Sequence, residues 1–166
     1  MYQAIIAKIH NLRPIPGADR IVVGTVLGCE VIVGIDTKDG DIGILFMDDG
    51  VLSHEYASAN NLYKHPELNS DKTKSGFFSD TPRVKCQRFK GVKSEAYFAP
   101  LDSLSFTKGN LSTLVLGYAF TEFGGVKICD KYYTPATIRA MKQGKSNQLK
   151  RVQYFREHEE TQHIVK

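Results

Sequence analysis

The sequence predicts a mainly β chain: a small closed β-barrel carrying one long insertion and a short helical segment toward its C-terminus. Three observations predict it. β-branched apolar runs of strand length recur through residues 1–50 and again at 83–100, parted by turn residues. Residues 52–82 form a polar stretch with scattered aromatics and little periodicity, the mark of an inserted segment. Thr134 stands before Pro135, an N-cap residue followed by proline at the first helical position.

The elements follow in order. AIIAKI is a short apolar strand. NLRPIPGADR cannot continue as helix or inner strand, because each proline fixes φ and lacks a donor. IVVGTVLG and CEVIVGI are strands. DTKDGD is a turn, IGILFM a further strand, and Asp48-Asp49-Gly50 closes it. Within 52–82 the sequence supports at most a short helix near 55–64. RVKCQRF and SEAYFAPL are strands joined by KGVK, and LDSLSF is a helical turn. One more strand is expected at LSTLVL or at FTEF, then a Gly-Gly turn. A helix is expected at 135–143, ended by Gly144, with GKSNQLKR as a linker. Such short strands with few helices read as a barrel. Residues 1–130 form the barrel and 131–166 a basic linker and helix.

The net charge is +4, and its distribution is uneven. Residues 131–166 hold eight Lys/Arg and three Glu, a net of +5, which leaves a net of −1 for residues 1–130. Residues 83–93 hold five basic residues and no acid. Clustering of this kind suits a polyanion, and equally a solvated surface. Cys29, Cys86 and Cys129 are odd in number with no C-x-x-C pair, so buried free thiols in a reducing cytoplasm are expected. The N-terminal apolar patch is too short for a signal h-region or a span, so no membrane partner is expected.

Several chemistries are excluded by spacing. Gly144-Lys145-Ser146 resembles the end of a phosphate-binding loop, but Arg139 stands where its first glycine should be. His10, His54, His65, His158 and His163 make no convincing metal spacing. No nucleophile elbow is present. Lys38-Asp39-Gly40 lacks the intervening residue of the K-x-D-G used in lysyl nucleotidyl transfer. Asp48 and Asp49 read as turn residues. No catalytic residue, metal site or cofactor site is expected in this chain.

The positive signal is RVKCQRFKGVKSEAYFAP. In a strand over 83–89, Arg83 and Lys85 share one face and Val84 and Cys86 the other. Arg88 and Lys90 have the opposite parity, so a bulge or turn must intervene for the cations to converge. A groove lined by Arg83, Lys85, Arg88, Lys90 and Lys93, with Tyr97 beside it, would track a phosphate backbone and stack a base. Phe98 reads as core. Tyr97 reads equally as core or as stacking surface.

These residues also carry a resemblance. RPIPGADRI (13–21), TVLGCEVIV (25–33), KDGDIGILFMDDGVL (38–52), RVKCQRFKGVKSEAYFAPLDSL (83–104) and FTEFGGVKICDKY (120–132) resemble, in the same order, blocks of the N-terminal half of bacterial and viral RNA ligases of the Deinococcus type. YFREHEETQHI (154–164) is similar to the segment before that family's catalytic lysine strand. The sequence departs from the family at Cys29, where an aromatic is common, and at Glu95-Ala96, where Gln-Gly is common. The resemblance implies an oligonucleotide-binding (OB) fold followed by an adenylyltransferase domain. It also implies sealing of 3′-OH and 5′-phosphate ends in RNA or RNA–DNA hybrids, with ATP and a divalent metal serving the full-length family. The present chain is expected to be the RNA-binding front part, without the catalytic lysine.

PIPGADRI and FKGVKS are similar as well to the tRNA-binding domains associated with aminoacyl-tRNA synthetases, which are also OB-folds. That resemblance implies a free-standing tRNA-binding module. A structural or protein-interaction barrel without nucleic acid is the remaining alternative.

Overall fold

The computed structural model describes residues 2–143. The chain divides into two units, Met1–Tyr132 and Tyr133–Lys166. In the second, 135–143 is helical. The Thr134 hydroxyl accepts a hydrogen bond from the Thr137 N–H at 3.1 Å, so the Thr-Pro pair starts this helix as expected. Its expected end at Gly144, the linker and the 154–164 segment lie outside the described residues.

The first unit is mainly β. Its strands are β1 (Ala4–Lys8), β2 (His10–Pro14), β3 (Ile21–Val26), β4 (Cys29–Gly34), β5 (Ile42–Met47), β6 (Gly50–Leu52), β7 (Arg83–Val84), β8 (Gln87–Phe89), β9 (Val92–Ser94), β10 (Ala96–Pro100), β11 (Ala119–Phe120), β12 (Glu122–Phe123), β13 (Val126–Lys127) and β14 (Cys129–Lys131). β1 and β2 act as one bent strand shared by two sheets. β1 pairs antiparallel with β5, and β5 with β10. β2 pairs with β3, and β3 with β4. The bend falls at Ile9, which is fully buried. Its N–H donates to Asp41 O at 3.0 Å and its carbonyl accepts from Gly40 N–H at 2.8 Å. Asn11, at φ 58°, sits in the register shift that follows. β2 has one strand neighbour, as its proline requires.

The order around the core is therefore β10-β5-β1 continuing through the bend into β2-β3-β4. The expected closure between β4 and β10 is not made by a backbone ladder. At this seam Glu95 N–H donates to Glu30 O at 2.7 Å. The neighbouring donors are taken by side chains. Glu30 N–H bonds Glu95 Oε1 at 3.1 Å, and Ile32 N–H bonds Ser94 Oγ at 3.2 Å. Ser94 and Glu95 thus replace the carbonyls a ladder would use, and the mainly β unit stays open at this seam.

Two apolar clusters fill the interior. One gathers Ala7, Ile9, Val26, Val31, Val33, Leu45, Ala96 and Phe98, between β1, β3, β4, β5 and β10. Phe98 is core, as its position on β10 predicts. The other is built on Ile6, Phe46, Tyr56, Leu104, Phe120 and Ile128. Each large side chain so buried contributes about 1.5–3 kcal/mol.

The insertion carries the short helix expected near 55–64, in a segment that is otherwise irregular. It opens with α1 (His54–Ala59), capped by the Ser53 hydroxyl, which accepts from Tyr56 N–H at 3.1 Å. Tyr56, Ala57, Tyr63 and Phe78 are buried. Asn69, 0 % exposed, holds the segment together. Its Oδ1 accepts from Tyr63 N–H at 3.0 Å, and its Nδ2 donates to Tyr63 O at 3.0 Å and Lys74 O at 2.8 Å. One polar side chain thereby serves three backbone groups outside any helix or named strand, and Tyr63 O accepts from Gly76 N–H at 2.7 Å as well.

Of the two strand options after residue 110, the later one is correct. Leu111–Thr113 is a 3₁₀ turn, whereas β12 and β13 form a hairpin about Gly124-Gly125. β14 returns to pair with β6. LDSLSF does begin as a helical turn, Leu101–Leu104.

The thiols are free, but only Cys129 is buried; Cys29 is half-buried and Cys86 is exposed. The expectation of three buried thiols fails because Cys86 lies in the break between β7 and β8 rather than within a strand. Burial pushes the Cys129 thiol up to about 11. Thiolates are the reactive form, so at pH 8 Cys129 stays protonated and unreactive. Iodoacetamide labelling followed by peptide mass mapping is expected to modify Cys86 in the native protein. Cys129 should label only after unfolding in urea.

Candidate nucleic-acid interface

The cationic segment does not run as one strand. Pairing stops after Val84 and resumes at Gln87, so Lys85 and Cys86 lie outside any ladder. The break parts Arg83 from the hairpin that carries Arg88, Lys90 and Lys93. β8 and β9 then form a hairpin whose tip is Lys90-Gly91. Both tip residues have positive φ, 50° and 80°. A two-residue hairpin turn of this kind requires that backbone, and glycine supplies it at little cost.

The register places Arg88 directly opposite Lys93. Like charges across a strand pair are destabilising. No acid lies within 83–93 to relieve them. Both side chains belong to exposed residues. The Lys90 ammonium lies 5.8 Å from the Phe89 ring.

Arg83 is held differently. Its guanidinium packs over the Tyr132 ring at 4.3 Å and pairs with Asp49 at 3.4 Å. Its buried Nε has no hydrogen-bond partner among the described residues.

Tyr97 faces the interior edge of a groove. It stacks on Phe46 at 5.9 Å and meets the edges of Phe77 at 5.5 Å and Phe78 at 5.3 Å. Burial drives its hydroxyl pKa far up, so it stays protonated. The groove itself is a cavity of about 720 Å³. Phe77, Phe89, Tyr97 and Phe98 give it apolar walls, and Lys85 and Arg88 stand at its lining. Phe77 and Phe89 remain 52 % and 47 % exposed. Asp36 and Asp41 also line it.

Of the six residues singled out by sequence, Lys85, Arg88 and Tyr97 line this one groove. Arg83 lies in an adjoining pocket with Lys85. Lys90 and Lys93 stand on the hairpin and line neither. Sequence reasoning missed Phe77, Phe89 and Lys64. The Phe77-Phe78 doublet, isolated in a polar run, was the available signal.

No family model matches the sequence, and no curated protein does. Solved structures do. Naegleria gruberi RNA ligase with PPi superposes with a TM-score of 0.58 at 23% identity, over 80% of this chain and 35% of that chain. A mutant of that ligase with ATP and Mn gives a TM-score of 0.57 at 25% identity, over 80% and 36%. An apo mutant gives 0.56 at 20%, over 80% and 35%. The fold is RNA-ligase-related. The chain spans about a third of the length of these ligase chains.

Among the described residues, no group of three His, Cys, Asp or Glu side chains stands together as a metal site. No described helix is long and apolar enough to cross a membrane.

Proposed function

We propose that this chain is the RNA-holding module of an ATP-dependent RNA ligase that seals 3′-OH and 5′-phosphate ends. The sealing chemistry would come from an adenylyltransferase domain, downstream or separate, toward which 131–166 leads. The observation that carries this reading is the hairpin. A ligase-related fold presents Arg88 opposite Lys93, neither of them in an ion pair among the described residues, beside an aromatic groove that Asp36 and Asp41 also line. A surface built this way is relieved by a polyanion.

In this reading Lys85, Arg88, Lys90 and Lys93 contact phosphates of the strand near the nick. Arg83, anchored by Asp49 and Tyr132, positions the start of the segment. Tyr97 contributes a wall of the groove rather than a free stacking platform, because Phe46 already covers one face. The free thiols suit a cytoplasmic setting.

A competition gel shift tests it. The full chain is expected to bind a nicked RNA duplex, with log K falling linearly with log salt. Nicked duplex should displace a labelled complex better than tRNA does. A clear tRNA preference would transfer the module to the synthetase-associated type, and no binding at 50 mM salt would remove the RNA role altogether.

A further inference from the structure

A second pocket, of about 280 Å³, adjoins the aromatic groove. The two share Phe77, Phe78, Lys85 and Gln87. The insertion supplies much of the second pocket, through Lys64 and the hydroxyl residues Ser79 and Thr81. Arg83 and Lys85 enter from the β7 side. Three cations therefore line one small polar pocket. Among them, Arg83 has a carboxylate partner, Asp49, and it still keeps a buried Nε without a hydrogen-bond acceptor among the described residues. The guanidinium and ammonium groups that line the pocket are donors only, and an anionic oxygen is the acceptor that best meets them.

The neighbouring groove asks for something else. Its volume lies in the range of small-ligand sites, about 300–1,000 Å³. Its half-exposed rings, Phe77 on the insertion and Phe89 on the hairpin, offer π-faces to a flat group. An aromatic slot joined to a tricationic pocket matches a flat base joined to a phosphate.

We infer that the two pockets together take one nucleotide unit of an RNA strand, its base in the groove with Phe77 and Phe89 and its phosphate at Lys64, Arg83 and Lys85. This rests on the RNA-holding reading and sharpens it. The insertion becomes half of the site, supplying one cation and one ring.

The test uses the full chain and a short fluorescent oligoribonucleotide, with anisotropy titrations across a salt series. Lys64 and Phe77 are exposed, so Lys64→Ala and Phe77→Ala should keep the thermal transition of the parent. Lys64→Ala is expected to flatten the slope of log K against log salt by about 0.7, the loss of one phosphate contact to a single strand. Phe77→Ala is expected to weaken binding about tenfold with the slope unchanged, as loss of a stacked base does. AMP at millimolar concentration should fail to displace the strand; displacement would overturn the strand assignment in favour of a free nucleotide. If the parent binds RNA and both variants match it in affinity and slope, the nucleotide-unit site is wrong while the RNA-holding reading stands. If the parent does not bind, that reading itself falls.

Discussion

Replacing Lys85 and Arg88 together by alanine is expected to weaken binding to single-stranded RNA about 25-fold at 0.1 M salt. The figure follows from counterion release. Each phosphate neutralised on a single strand releases about 0.7 of a counterion, so each contact is worth about fivefold at 0.1 M salt. Two lost contacts should also flatten the salt slope by about 1.4. The chosen pair lines the groove, whereas Arg83 is tied to Asp49 and Tyr132 and its loss would mix binding with folding. Stability should not fall in K85A/R88A. Removing Arg88 takes away the like charge opposite Lys93, so the thermal midpoint should hold or rise slightly. The exposed Lys108, which lines neither pocket, serves as the control and its alanine variant should bind like the parent. Equal affinity and slope in the double variant and the parent would show that the hairpin groove is not where RNA lies.

Replacing Asn69 by alanine is expected to cost about 3 kcal/mol in unfolding free energy, measured by urea titration. The side chain is 0 % exposed and serves both backbone groups of Tyr63 and the carbonyl of Lys74. Tyr63 N–H would lose its partner, at about 1–3 kcal/mol, and the packing of a wholly buried side chain would be lost with it, while Tyr63 O keeps the Gly76 N–H. The damage should reach the groove. Tyr63 N–H, Tyr63 O and the bridge from Tyr63 to Phe78 all lie on the path to the Phe77-Phe78 doublet. RNA affinity should therefore fall along with stability, even though Asn69 touches neither pocket. A loss under 1 kcal/mol would mean that the insertion is held by its aromatic burial and not by this amide.

The two outcomes separate the two layers of the molecule. In the first the cation pair would act on RNA without acting on the fold, and in the second the buried amide would act on RNA by way of the fold.

The strands of residues 1–50 were legible because their signals are local. IVVGTV and CEVIVG are β-branched runs, and the turn between them has Leu27 and Gly28 at φ 48° and 81°. Thr134-Pro135 declared its helix for the same reason: a cap needs only residues three positions apart. The cationic cluster was legible as composition.

What lay beyond the sequence depended on partners distant along it. Closure of the barrel turned on which atom meets Glu30 N–H, and the answer, Glu95 Oε1, comes 65 positions later. No periodicity encodes that choice. The insertion and its short helix were legible, but the residue that anchors it was not: Asn69 is polar and wholly buried. A polar residue satisfied by backbone groups is indistinguishable, in one dimension, from a polar residue in water. Lys64 was passed over for a related reason: it becomes part of a cation pocket only because Asn69 and Tyr63 fold the insertion back toward β7. The sequence by itself determined the mainly β class, the strands and the position of the positive charge, since each is written in neighbouring residues. Only the tertiary structure decided the open seam, the joined pockets and the insertion's share in them, because each depends on hydrogen bonds and packing between segments the chain brings together from afar.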